Sequence, residues 1–127
     1  MSMDWGSDGV DWRDESLDAD MAGDWLRASH EPNFEASDVF YRVLELTQSD
    51  LDPSRAWRLV KELFRQAKAD KELWQIGSEA LSTIVQYHPD VVGDELGHLI
   101  RTDPKYRRAL DGQISRELSD LRDRYGA

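Results

Sequence analysis

The chain has no cysteine, only three histidines and no long apolar run, and each shortage removes a class of protein. Without cysteine there is no disulfide, no thiolate metal site and no sulfur nucleophile, and a reducing cytoplasm becomes the expected compartment. A bilayer-spanning helix needs about 20 consecutive apolar residues, and nothing here comes near that length. The stretch from Met1 to Gly9 lacks the basic start and apolar segment of a secretory signal. Glycine-rich phosphate loops and the Gly-x-Ser-x-Gly turn of many hydrolases are missing too. Positive charge is scarce, with 16 Lys and Arg against 26 Asp and Glu and a net charge of −10. Such a surface repels polyanions at long range, so neither a membrane nor direct nucleic-acid binding is expected.

What remains is a chain of 127 residues, 39% hydrophobic and 33% charged. A chain of this size buries roughly two-thirds of its unfolded surface and suits one domain. Its charge is uneven. Eight acids from Asp4 to Asp24 face only Arg13, a net −7, which leaves −3 on the other 103 residues. Residues 1–14 show neither helical nor strand periodicity, and their Gly, Ser and Asp content predicts a mobile acidic arm preceding a domain over 15–127. Trp5 and Trp12 lie seven residues apart among Asp4, Asp8, Asp11 and Asp14. Their indoles are expected either to rest on the protein's own surface or to meet a partner on which the arm orders.

From there the apolar spacing is helical throughout. Leu17, Met21 and Trp25 mark a first helix over about 16–29, ended by His30-Glu31-Pro32, since a residue before proline is pushed out of the helical region. Val39, Phe40, Val43, Leu44 and Leu46 mark a second over about 35–47. Asp52-Pro53 opens the third, the aspartate as N-cap and the proline at the first helical position. Leu73, Ile76, Ala80, Leu81 and Ile84 make a fourth over about 71–87, with Gly77 mid-face allowing either close approach of a neighbour or a kink. His88-Pro89 leads to a fifth over about 89–102. Asp103-Pro104 leads to a sixth, carrying Tyr106, Ala109, Leu110, Ile114, Leu118, Leu121 and Tyr125. No segment alternates with period two. The expected fold is all-α: a single compact domain of five or six antiparallel-paired helices, organised around the stretch from Leu51 to Tyr87, with a disordered acidic arm.

On a helical projection of the third helix, Ala56, Trp57, Leu59, Val60, Leu63 and Phe64 fill one side. Arg55, Arg58, Lys61, Arg65 and Lys68 fall together opposite them, a basic stripe that is either a solvated face or a dock for an acidic segment such as the arm. The histidines His30, His88 and His98 are read as turn or surface residues. Glu95-x-x-His98 has the spacing of one half of a di-iron carboxylate site, but no second Glu-x-x-His exists to complete it, so no metal or cofactor is expected. With no nucleophile–base pair either, the chain is not expected to be an enzyme.

As an ordered set, the landmarks Ala22-Gly23-Asp24-Trp25-Leu26, Asp52-Pro53-x-x-Ala56-Trp57, Ile76-Gly77 with Leu81, and Asp103-Pro104-x-Tyr106-Arg107 resemble a family of small bacterial helical proteins. Its domain is of unknown function. The likeness spans about residues 20–112 and implies the helical fold but no activity. Members often carry an acid directly after the leucine equivalent to Leu81, where this chain has Ser82. The functional expectation is therefore a non-enzymatic, cytoplasmic protein-binding module of immunity-inhibitor or accessory type, with a basic protein as partner. Its candidate contact residues are Trp5, Asp8, Asp11, Trp12, Asp14, Arg55, Arg58, Lys61, Arg65 and Lys68. The alternative is an acidic nucleic-acid mimic acting on a DNA-binding protein.

Overall fold

Unpaired backbone N–H groups at a helix start need acceptors, and the chain supplies one near most of its helix starts. In the computed structural model, which describes residues 4–6 and 11–110, the Asp14 carboxylate accepts from the Ser16 N–H at 3.0 Å. A single 3₁₀ turn over Glu15–Leu17 follows and leads into α1, Asp18–Ala28. Ser37 caps α2, Asp38–Gln48, by accepting from the Phe40 N–H at 3.3 Å. Glu35 belongs instead to a separate 3₁₀ turn, Phe34–Ala36. Asp52 caps α3, Pro53–Gln66, at the Arg55 N–H, 3.1 Å away.

The fourth helix opens one residue earlier than its spacing suggests. Glu72, one turn in, reaches back to accept from the Lys68 and Ala69 N–H groups at 2.9 and 3.1 Å. It runs as α4, Asp70–Ile76, then a π turn over Gly77–Leu81, then α5, Ser82–Tyr87, in one continuous rod. The Ser82 N–H reaches the Gly77 carbonyl five residues back, so the irregularity at Gly77 is a local one. Pro89 opens α6, Pro89–Thr102, which breaks at Gly93 (φ 13°, ψ −116°). Asp103 accepts from the Lys105 N–H at 3.0 Å at the start of α7, Pro104–Leu110. Asp8, and Ile114, Leu118, Leu121 and Tyr125 of the expected sixth helix, lie outside the described residues.

With the rod counted once, the described residues form six helices and no strand. Short connections join α2, α3 and the α4–α5 rod; α1 packs on α2 and α3, α2 on α5, α6 on α3, and α7 on α4 and α6. Trp25, Phe34 and Phe40 meet edge to face, with ring centres 4.9 and 5.0 Å apart in sequence. Such pairs add to what area burial supplies. At the other end Phe64 stacks on Tyr106, ring centres 3.8 Å apart, while the Lys105 ammonium donates to the Phe64 and Arg65 carbonyls and so closes α3. Leu59, Leu63, Ile76, Leu81, Ile84 and Ile100 are fully buried in the same core.

One histidine stands at a turn, as expected, but not at the surface. His88 is buried at the α5–α6 junction, its Nε2 without a hydrogen-bond partner and its Nδ1 3.9 Å from the Asp50 carboxylate. His30 is exposed and bonds to Glu72 at 2.8 Å. No helix among the described residues is long and apolar enough to cross a membrane.

Candidate functional site

Trp5 sits in the core rather than on the surface. The indole is 2% exposed, its Nε1–H donates to the Asp24 carboxylate at 2.9 Å, and its carbonyl accepts from Arg42 Nε at 2.9 Å. At Gly6 a Cβ would come within 2.6 Å of the Asp38 carboxylate, which is exposed and would have to swing aside for any larger residue. Trp12 is half-buried, with the guanidinium groups of Arg13 and Arg42 over its ring at 4.6 and 4.9 Å. Cation–π contacts of this kind fix an indole at modest energy. Asp11 and Asp14 remain exposed. The Ser16 hydroxyl, and then its backbone N–H, hold the Asp14 carboxyl below the usual carboxylate range.

Arg55 is likewise a correction. It shares a row with Leu59, Glu62 and Gln66 at helical spacing, and that row faces α1, not solvent. The guanidinium is 4% exposed, pairs with Asp18 at 2.6 Å and donates to the carbonyls of Trp12 and Arg13 at 3.0 and 3.2 Å. Burial raises the Asp18 carboxyl above its ordinary value, and Arg55 offsets part of that. The residues beyond Arg55 are on the surface, three of them neutralised from within the chain. Arg58 binds Glu15 through two bonds of 2.7 and 2.9 Å and holds its carboxyl low. Arg65 pairs with Glu62. Glu95 is held low first by the Trp57 indole N–H at 2.7 Å and next by Lys61 at 3.1 Å. Lys68 is exposed. Two cations of the stripe thus hold the segment from Trp12 to Glu15, while Lys61 and Arg65 pair with Glu95 and Glu62.

Sequence reasoning gave no role to Asp18, Asp24 and Arg42, and it singled out Glu95 only for its spacing to His98, not for its bonds to Trp57 and Lys61. Two had a signal, since Asp18 lies in line with Ala22 and Trp25, and Asp24 falls beside Leu17 and Ala28, so both acids interrupt an apolar face.

Between the arm and the α2–α3 turn lies a groove of about 460 Å³, walled by Trp12, Arg13, Glu45, Leu46, Leu51 and Asp52. Leu51 projects at its rim, 90% exposed between Asp50 and Asp52. Behind the turn, the approach of His88 to Asp50 brings up Tyr87, 49% exposed. The site offers apolar contact from Trp12, Leu46 and Leu51, edged by the charged groups of Arg13, Glu45 and Asp52. Among the described residues no three His, Asp or Glu side chains gather closely enough to hold a metal ion. No family model, curated protein or solved structure matches the chain.

Proposed function

We propose that the chain is a non-enzymatic, cytoplasmic protein-binding module of inhibitor or accessory type that captures a basic protein. The observation that carries this reading is internal. All four cations on α3 are matched to Asp18, Glu15, Glu95 and Glu62, so the surplus of acids in a net charge of −10 is left for an outside partner. An acidic surface speeds encounter with a cationic one and makes capture sensitive to salt. The landmarks shared with the small bacterial helical family agree with a compact module and add no activity.

Affinity capture on the immobilised full chain tests the reading. At about 50 mM salt the recovered proteins are expected to be basic, and raising salt about tenfold releases them, because screening shortens the reach of surface charge. Recovery of neutral or acidic partners that persist at high salt overturns it. Release by added duplex DNA would assign the chain to nucleic-acid mimicry instead.

A further inference from the structure

We infer that the α2–α3 turn and the α5–α6 junction form a docking corner for a basic segment of a partner protein, one that presents a large apolar side chain between lysines and arginines. This rests on the proposed function and gives it a place. Leu51, 90% exposed, keeps its apolar surface available for contact because a fixed turn holds it outward. The Leu51 N–H donates to Ser49 Oγ at 3.1 Å, and Asp52 next to it is tied to the first turn of α3. The groove beside Leu51 has about 460 Å³ of space and apolar walls from Trp12 and Leu46, a size common among binding clefts. Tyr87 adds a half-exposed ring on the other flank.

Charge selects the occupant. The Asp50 side chain is 97% exposed, with the buried His88 ring 3.9 Å from it. Asp52 and Asp90 are exposed as well. Of the cations at hand, Arg55 is consumed by Asp18, Arg42 by Glu45 and the Trp5 carbonyl, and Arg13 lies over Trp12. An anionic lipid surface or a second copy of this corner would bring carboxylate or phosphate against carboxylate. A segment with lysine or arginine on both sides of an apolar residue would place its cations at Asp50, Asp52 and Asp90 and its apolar group against Leu51.

The test is an amide-resolved NMR titration of the full chain at about 50 mM salt. One probe is an octapeptide with a Leu-Phe centre flanked by three lysines or arginines on each side, and the other is its Ser-Ser counterpart. The Leu-Phe peptide is expected to bind about tenfold tighter, as burial of two apolar side chains allows. Its shifts should concentrate at residues 48–52 and 87–90. Leu51→Ser and Asp50→Asn should each weaken it severalfold with unchanged thermal melting, because both side chains are exposed. Equal binding of the two peptides with shifts spread over the acidic surface overturns the corner while leaving the basic-partner reading in place. Binding by neither peptide removes both. A concentration-dependent dimer in sedimentation that Leu51→Ser abolishes would make a second copy the occupant and overturn the inference.

Discussion

At Arg55 a buried guanidinium holds Asp18 and the carbonyls of Trp12 and Arg13 together, so its loss strands several groups at once. Breaking a buried pair from one side costs about 3–5 kcal/mol, and Arg55→Met should lower the unfolding free energy in urea by that order. Arg58→Ala, at an exposed pair, should leave the midpoint nearly unchanged. Adding Asp18→Leu to Arg55→Met should recover much of the loss, since the stranded carboxylate goes with it. Glu79 tests burial of the opposite kind. It lines a small gap with Trp25, Phe40 and Val43, and desolvation, followed by the nearby Glu35 charge, lifts its carboxyl above the ordinary value. An acid raised in the folded state favours folding at pH below its ordinary value, and that advantage is lost as pH rises through the folded value. Glu79→Gln should therefore be more stable than the parent at pH 7, with the difference vanishing near pH 3.5. Denaturant midpoints measured side by side across that range check the sign.

Helices begin where side-chain chemistry allows, and that much could be read directly. Asp52-Pro53, Pro89 and Asp103-Pro104 sit at helix starts because cap acceptor and proline act within one turn, independent of the rest of the fold. Asp52→Ala should cost about 1 kcal/mol, seen as a lower urea midpoint with unchanged slope. The π turn at Gly77–Leu81 was not legible, because Ile76, Ala80, Leu81 and Ile84 suit an unbroken α-helix equally well. One extra residue per turn is a compromise among neighbours, with α2 and α7 both packing on that segment. Amides of Ala80 to Thr83 should exchange with solvent faster than those of Leu59 to Leu63, since irregular hydrogen bonds open at lower free energy. Exchange measured by NMR on the intact chain checks this.

On the scale of the molecule, the described residues ahead of α1 tie down part of the charge, Trp5 at Asp24 and Glu15 at Arg58. Trp5 is core by burial and bonding, so Trp5→Ala should cost roughly 3–5 kcal/mol. Trp5→Phe, which keeps a ring and removes the N–H facing Asp24, should cost about 1–2 kcal/mol. A freely moving arm would make both changes silent in calorimetry. Helical class, most boundaries and the apolar face of α3 were settled by the sequence itself, because cap, proline and periodicity are properties of a few consecutive residues. Which charges remained available was decided only by tertiary structure. Arg55 and Trp5 look like surface residues until partners some 20 to 40 positions away are brought beside them. Leu51 looks like one more apolar residue until the turn that carries it is left uncovered. Burial and pairing depend on what distant segments lie opposite, and local spacing carries no record of that.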